Sequence, residues 1–143
     1  MQQPARPRTV LAFDFGTQKI GLAIGQELTK TASPLPAIKA KEGIPNWDQL
    51  AKLIAEWQPD LFVVGHPLNM DGTDNDVTVR ARKFANRLHG RFHKPAELVD
   101  ERLSSFDAKE QFKELHGKVD HRDTAIDSIA AALILETWFS LKQ

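Results

Sequence analysis

The first apolar segment of the chain contains a carboxylate. Residues 9–15 are typical of one β-strand and residues 19–26 of a second, with a tight turn at Gly16 between them. Asp14 stands within the first strand among apolar neighbours, although Asp disfavours strands and is almost never buried without a partner. A fold built on this pattern must give the carboxylate a cation, a set of hydrogen-bond donors or a cleft.

Length and composition narrow the class of protein. The 143 residues suffice for one domain with a buried core, and we expect a flexible tail at residues 1–8 and a single domain at residues 9–143. The absence of cysteine excludes disulfides, thiolate zinc sites and a cysteine nucleophile. We expect no signal peptide, because residues 1–8 lack the apolar core of one, and no membrane span, because the longest apolar run covers only residues 129–135. We therefore expect a cytoplasmic protein with no membrane partner.

Basic residues cluster in one stretch, although the whole chain balances 19 basic against 19 acidic residues. No acidic residue stands between Asp76 and Glu97. The basic side chains of that stretch are Arg80, Arg82, Lys83, Arg87, Arg91 and Lys94, together with His89 and His93. The stretch predicts either a patch that binds phosphates or the solvated face of an ordinary helix.

Helices and strands alternate in the later part of the chain. Further strands are predicted at residues 33–39, 61–65 and 96–100, and helices at about residues 46–58, 76–89, 104–117 and 124–140. Pro34 and Pro36 favour an edge position for the third strand. The alternation requires parallel strands with crossover helices, whereas the first two strands form an antiparallel hairpin. The prediction is an α/β fold with a mixed five-stranded sheet flanked by helices.

Two helices carry apolar stripes at helical spacing. In the first, the stripe includes Trp47 and Trp57, which we expect to be core residues rather than base-stacking ones. In the second, the residues predicted to face inward are Val77, Ala81, Phe84 and Leu88.

Three carboxylates from distant segments can meet at one end of this sheet. Asp14 would come from the central strand, Glu101 from the end of a neighbouring strand, and Asp127 from the first turn of the last helix. Hard divalent ions such as Mg²⁺ and Mn²⁺ prefer oxygen ligands, and a pair of them can activate water and stabilise the leaving oxygen of a phosphodiester. Simpler roles stay open, namely a bond from Asp14 to its turn, an ion pair of Glu101 with Arg102, and helix stabilisation by Asp127. Asp123 is a helix cap or an additional ligand.

Further polar residues flank these acids. His66 follows a strand where α/β sheets often bind ligands, and it can contact phosphate, transfer a proton or be an ordinary loop residue. Asn69 suits a tight turn as well as a contact to substrate. Arg102 and Ser104 stand at a helix start, where phosphate binds readily, although Ser104 can simply cap the helix. The residues predicted to bind substrate are Lys19, His66, Asn69, Arg80, Arg82, Lys83, Arg87, Arg102 and Ser104.

Four segments together resemble a known family. They are residues 12–23, 63–73, 100–105 and 127–135, and they contain Asp14-Phe15-Gly16-Thr17, Gly65-His66-Pro67, Asp100-Glu101-Arg102 and Asp127-Ser128-Ile129. In order and spacing they are similar to the four motifs of the YqgF (RuvX) family, over nearly the whole chain. The resemblance implies an RNase H-like fold related to RuvC resolvases. It also implies that Asp14, Glu101 and Asp127 bind the metal, with Asp120 as the alternative to Asp127, and that the loop at residues 65–73 borders the substrate groove.

The function implied by this resemblance is that of a metal-dependent endonuclease using Mg²⁺ or Mn²⁺. The family was long described as Holliday junction resolvases and is now associated with maturation of the 5′ end of 16S ribosomal RNA. We therefore expect structured RNA as the substrate, within ribosome biogenesis and with possible ribosomal association, and a four-way DNA junction as the alternative. Cutting a junction normally requires a symmetric dimer.

Two functions from other classes stay open. Asp14-Phe15-Gly16-Thr17 also resembles the phosphate-binding turn of the actin, Hsp70 and sugar-kinase ATPases, but those proteins use two such domains and this chain has room for one. A non-catalytic adaptor that binds nucleic acid or the ribosome would keep the same fold without cleaving its partner.

Overall fold

The structure, a computed structural model, describes residues 7–103 and 128–142. Its strands are β1 (Thr9–Asp14), β2 (Lys19–Gln26), β3 (Thr31–Lys41), β4 (Ile44–Pro45), β5 (Leu61–His66) and β6 (Ala96–Asp100). Its helices are α1 (Trp47–Trp57), α2 (Asp76–Phe92) and α3 (Ile129–Leu141), and a short 3₁₀ turn, Glu101–Leu103, follows β6. The helix predicted at residues 104–117 and the predicted first turn of the last helix, residues 124–127, lie outside the described residues.

The strands form one mixed sheet in the order β4-β3-β2-β1-β5-β6. The pairs from β1 through β4 are antiparallel, and β1, β5 and β6 are parallel to one another. The α/β class and the mixed sheet are confirmed, but the strand count of five was wrong by one. The missed strand, β4, has two residues that pair with Ala40 and Lys41, and two residues are too few to produce an alternating pattern.

The prolines of β3 lie where the predicted edge position requires them. Pro34 and Pro36 fall outside the short segment that pairs with β4, so among the described residues β2 is the one strand that pairs with β3 at that level. A proline there removes no hydrogen bond from an inner ladder.

Alternating side chains of the sheet build a separate core on each face. Leu11 and Phe13 of β1 face α1 and α2, whereas Val10 and Ala12 face α3. On the first face, the ring of Phe13 meets Phe84 of α2 edge to face, with 5.3 Å between the centroids. On the second face, eight of the thirteen residues of α3 are buried, because that helix covers the middle of the sheet.

The beginnings of α1 and α2 are fixed by side-chain caps. Asn46 accepts hydrogen bonds from the backbone N–H groups of Asp48 and Gln49, and it therefore caps α1. In α2, Thr78 is fully buried and exchanges hydrogen bonds with Asn75, which caps that helix.

Two predicted core positions were wrong. Val77 is 38% exposed, because the capping geometry turns its neighbour Thr78 inward instead. Trp57 is 40% exposed, because α1 ends there and Gln58 takes a left-handed conformation. Trp47 is partly buried, as predicted, and stacks on Phe84 with 6.1 Å between the ring centroids.

Arg8, within the predicted tail, is held against the sheet. Its guanidinium forms a two-pronged ion pair with Glu27 at 2.9 Å, and its carbonyl accepts the backbone N–H of Glu27. This pairing lowers the pKa of the Glu27 carboxyl and raises that of Arg8. The division into a tail at residues 1–8 and a domain at residues 9–143 stays a prediction. Among the described residues, no helix has the length and apolar character needed to cross a bilayer.

Two glycine substitutions test the packing of the sheet against α3. A Cβ at Gly25 would overlap the backbone oxygen of Thr31 and press on Leu135, so Gly25→Ala is expected to lower the free energy of unfolding by about 1–3 kcal/mol. The same change at Gly90, in the interior of α2, meets no atom within 4 Å and is expected to raise stability by about 0.5–1 kcal/mol. Urea denaturation measures both, and equal effects of the two variants would contradict this packing.

Candidate active site

Three parallel strands deliver their last residues to one edge of the sheet. β1 ends at Asp14, β5 at His66 and β6 at Asp100, and Glu101 follows directly in the 3₁₀ turn. The backbone register pairs Phe13 with Val64 and His66 with Asp100, so the three strand ends lie at the same level. The carboxyl edge of parallel strands is where ligands bind in open α/β sheets.

The carboxylates of Asp14 and Glu101 share one face of the sheet. Asp14 has the same parity in β1 as Ala12, so its side chain is on the α3 side. The register places Gly65 beside it on the same face. A Cβ added at Gly65 would overlap Oε1 of Glu101 and the Cδ1 atom of Ile134. The Glu101 carboxylate therefore occupies the space that a side chain at position 65 would fill, next to Asp14.

The start of α3 is fixed at this same edge. The backbone N–H of Leu22 donates to Oγ of Ser128 at 2.9 Å, and both residues are fully buried. Next to Leu22 the ladder between β2 and β3 is irregular, because Ile20 pairs with Ile38 and Leu22 with Leu35, which leaves one extra residue in β3, and such a bulge interrupts the regular pairing. Leu22 follows Gly21, which is opposite Asp14 in the β1–β2 register.

Several predicted ligands cannot be placed. Asp127, the proposed third metal ligand, lies outside the described residues, as do its alternative Asp120, the neighbouring Asp123 and the predicted phosphate contact Ser104. Ser128, the residue after Asp127, is described and lies at the edge that carries Asp14. Within residues 7–103 and 128–142, no group of three or more His, Asp and Glu side chains is arranged to hold a metal ion.

Sequence reasoning missed two residues that shape this edge. Gly65 admits the Glu101 carboxylate, and a glycine inside an apolar strand is a recognisable signal for the close approach of another group. Ser128 links α3 to β2 through its hydrogen bond with Leu22. No local sequence pattern predicts this contact, because 106 residues separate the two partners.

Arg102 pairs with Asp100 rather than with Glu101. Its Nη2 lies 2.7 Å from Oδ2 of Asp100, and its backbone N–H donates to Oδ1 of the same carboxylate at 2.9 Å. The hydrogen bonds from Arg102 lower the pKa of the Asp100 carboxyl and raise that of the guanidinium. Nη1 of Arg102 also donates to the carbonyl of Met70 at 3.3 Å, so the fork ties the 3₁₀ turn to the loop after β5.

The loop between β5 and α2 is cross-linked by its own side chains. Asn69 donates from Nδ2 to Oγ1 of Thr73 at 2.9 Å and accepts from Nδ2 of Asn75 at 3.0 Å. Asp71 accepts both the backbone N–H and the hydroxyl of Thr73, which lowers the pKa of its carboxyl. Asn69, predicted to bind substrate, therefore holds the shape of the loop.

His66 contacts α2 on the face opposite to Gly65. Its Nε2 lies 3.2 Å from Nη2 of Arg82, and the same nitrogen of Arg82 lies 3.0 Å from both carboxylate oxygens of Asp74. Burial first, and then the nearby Arg82 charge, lower the pKa of His66. The lowered pKa favours the neutral imidazole at the end of β5, on the face of the sheet opposite to the Glu101 carboxylate.

The predicted basic residues separate into three groups. Arg82 is directed at His66 and Asp74. Lys19 is exposed at the start of β2, opposite Lys39. It lies two residues before Gly21, which pairs with Asp14, so Lys19 is on the same face of the sheet as Asp14. The third group consists of Arg80, Lys83 and Arg87. These side chains line a shallow cleft together with Phe15 and residues 42–44.

A double-mutant cycle tests the position of the Glu101 carboxylate. Gly65→Ala is expected to destabilise the protein through overlap with Glu101 and Ile134. In a Glu101→Ala background one of those overlaps is gone, so Gly65→Ala should cost about 1 kcal/mol less. Chemical denaturation of the four proteins gives the coupling energy, and strictly additive effects would show that the carboxylate is elsewhere.

The titration of His66 tests its contact with Arg82. We expect NMR to give His66 a pKa below the ordinary value of 6.5, and Arg82→Gln to raise it by removing a nearby positive charge. The folded protein keeps this ring neutral where the unfolded chain protonates it. The stability from this group is therefore complete above pH 6.5 and is lost as the pH falls through the folded pKa. An unchanged pKa in Arg82→Gln would contradict the contact.

Comparison with solved structures places the fold among Holliday junction resolvases. RuvC of Thermus thermophilus, solved with a Holliday junction substrate, superposes with a TM-score of 0.56 over 94% of this chain and 96% of that one, at 13% identity. The fowlpox virus Holliday junction resolvase gives a TM-score of 0.56 over 94% and 98% of the two chains, at 14% identity. At these identities the likeness shows the fold alone, which is RNase H-like, as predicted.

Sequence comparison is more specific. Two proteins named "Putative pre-16S rRNA nuclease" are similar over almost their whole length. The one from Aeromonas hydrophila is 59% identical over 92% of this chain and 94% of its own, and the one from Pasteurella multocida is 58% identical over 94% and 96%. The family model described as RuvX, Holliday junction resolvase, matches residues 8–141. The chain therefore belongs to the RuvX family.

Proposed function

We propose that this protein is a divalent-metal-dependent endonuclease that hydrolyses phosphodiester bonds in structured RNA. The observation that carries the proposal is the place of the Glu101 carboxylate, over Gly65 and beside Asp14 at the carboxyl edge of the parallel strands. Two acids far apart in sequence lie on the same face there, and Gly65 provides the room that one of them needs. A divalent cation bound by both carboxylates would offset the repulsion between their charges.

The donor set suits a hard cation. Asp14 and Glu101 offer carboxylate oxygens, which Mg²⁺ and Mn²⁺ prefer, and the chain has no cysteine to favour a softer metal. We propose Asp127 as the third ligand, since the residue after it is held at this edge by Leu22. A bound divalent ion would supply Lewis acidity toward the phosphodiester and a lowered pKa of bound water.

The residues of the chain contribute position and charge. Asp14 is held by β1, which has strands on both sides, so its backbone is fixed before any ligand binds. His66, kept neutral, is able to accept a proton at this edge. Lys19 lies on the face of the carboxylates, where an ammonium group favours an incoming phosphate.

Arg102, Asn69 and Arg82 act in a different way. All three are already engaged with Asp100, Thr73 or Asp74, so we propose that they hold the loop and strand ends that border the substrate. Ser104, one residue beyond the described 3₁₀ turn, stays a predicted phosphate contact.

Structured RNA is the favoured substrate because of the relatives at 58–59% identity, whose name refers to pre-16S ribosomal RNA. This substrate would place the protein in ribosome biogenesis and in the cytoplasm, in association with the ribosome. The second candidate is a four-way DNA junction, favoured by the family description and by the junction-bound RuvC structure. A third, the non-catalytic adaptor, would bind nucleic acid without using Asp14.

Isosteric amide substitutions test the catalytic proposal. Asp14→Asn and Glu101→Gln keep the shape of each side chain and remove its charge, so each is expected to lower cleavage of a ribosomal RNA precursor fragment at least about 100-fold. Asp48→Asn and Glu56→Gln make the same changes on α1, away from the site, and should retain activity. The assay compares the precursor with a four-way DNA junction, in Mg²⁺, in Mn²⁺ and in EDTA.

The outcomes separate the candidates. Cleavage of the RNA alone, lost in EDTA and in both site variants, supports the RNA nuclease. Cleavage of the junction at paired positions would instead support the resolvase. If neither substrate is cut above the level seen with Asp14→Asn, the proposed activity is wrong and the adaptor replaces it.

A further inference from the structure

Four basic residues form a stripe along the outer side of α2. Arg80, Lys83, Arg87 and Arg91 are separated by three, four and four residues, so they follow one face of the helix, and all four are exposed. Eleven residues separate the first from the last, which corresponds to about 16 Å along the helix axis. Arg82 is not part of the stripe, since it points to His66 and Asp74.

The charges of this stripe are available for a partner. Arg80, Lys83 and Arg87 make no hydrogen bond or ion pair in the structure as far as it is described. They line a cleft of about 170 Å³ together with Phe15 and residues 42–44. Among the described residues that line this cleft, one, Glu42, is acidic. The guanidinium of Arg91 lies over the ring of Trp47, 4.2 Å from its centroid, and stays exposed.

The stripe and the carboxylates lie on opposite faces of the sheet. α2 packs against the face of Leu11 and Phe13, whereas Asp14 and Glu101 are on the face covered by α3. Phe15 joins the two regions, because it follows Asp14 in the chain and also lines the cleft. A phosphate held by the stripe is therefore not the phosphate that meets the two acids, and a ligand that contacts both must pass around the edge of the sheet.

We propose that the stripe is a second binding surface for the phosphate backbone of the substrate, away from the bond that is cut. The proposal rests on the proposed nuclease function and adds a second point of attachment to it. Charge complementarity identifies the occupant, because a row of exposed cations without paired acids matches the regular negative charge of a nucleic acid strand. A folded RNA has enough length to reach both faces, whereas a trinucleotide with two phosphates does not.

A matched pair of charge reversals tests the surface. Lys83→Glu changes the stripe, and Lys52→Glu makes the same change at an exposed lysine of α1. For the ribosomal RNA precursor fragment, Lys83→Glu is expected to raise KM about 10-fold with kcat unchanged, because the lost contact is remote from the chemistry. For a labelled trinucleotide, both variants should behave like the unmodified protein. A milder variant, Arg87→Gln, should raise KM for the long substrate in the same direction.

A binding measurement keeps this test independent of catalysis. The dissociation constant for the uncut precursor is measured in EDTA with each charge variant, over a range of salt concentrations. Lys83→Glu is expected to weaken binding about 10-fold and to reduce the slope of log Kd against log salt by about one, while Lys52→Glu leaves both unchanged.

Different failures have different meanings. If Lys83→Glu and Lys52→Glu weaken binding equally, the stripe is not a specific surface and this proposal is wrong, whatever the catalytic result. The same conclusion holds if Lys83→Glu impairs the trinucleotide as much as the precursor. If no RNA is cut, but Lys83→Glu weakens RNA binding and Lys52→Glu does not, the proposed nuclease function is wrong and the proposed binding surface is supported.

Discussion

The parallel pairing of β1 with β5 is the constraint on which the rest of the site depends. It brings Gly65 level with Asp14, and β6 then places Glu101 where it reaches across Gly65. In a parallel pair this register is maintained by evenly spaced backbone hydrogen bonds and by two buried faces, so a slip by one residue would turn every side chain of a strand to the wrong side. The two carboxylates lie on the same face of the sheet because the core on each face permits only one register.

The same alternation separates two kinds of chemistry. Side chains of one parity in β1 and β5 reach the α3 side, where Asp14 lies and where the Glu101 carboxylate takes the space beside Gly65. Side chains of the other parity reach α1 and α2, and there His66 contacts Arg82. One sheet thus keeps cationic side chains of α2 from neutralising the acids, although both groups lie near one edge.

Much of this arrangement was predictable, because it follows from local patterns. The alternating strands, the cap at Asn46 and the carboxylate in an apolar strand all leave signals within a few residues. Burial of Thr78 in place of Val77 was not predictable from spacing alone, because a hydrogen-bonded cap outweighed the apolar preference. The basic stretch of α2 shows a third limit. The sequence places Arg80, Arg82 and Lys83 together, but a helix turns 100° per residue, so Arg82 contacts His66 and Asp74 while Arg80 and Lys83 line the cleft.

The hydrogen bond from Leu22 to Ser128 joins two segments that are synthesised at very different times. The two residues are 106 positions apart in sequence, so the segments of β1 and β2 are synthesised long before the start of α3. Until α3 docks, the N–H of Leu22 lacks this acceptor and the apolar face of Val10, Ala12 and Ala23 is not covered by that helix. Docking of α3 supplies the hydrogen-bond acceptor and covers the apolar face, and it also brings the start of this helix to the edge that carries Asp14. This edge can therefore be complete only after the last helix has been synthesised, and a shorter nascent chain carries Asp14 without these surroundings.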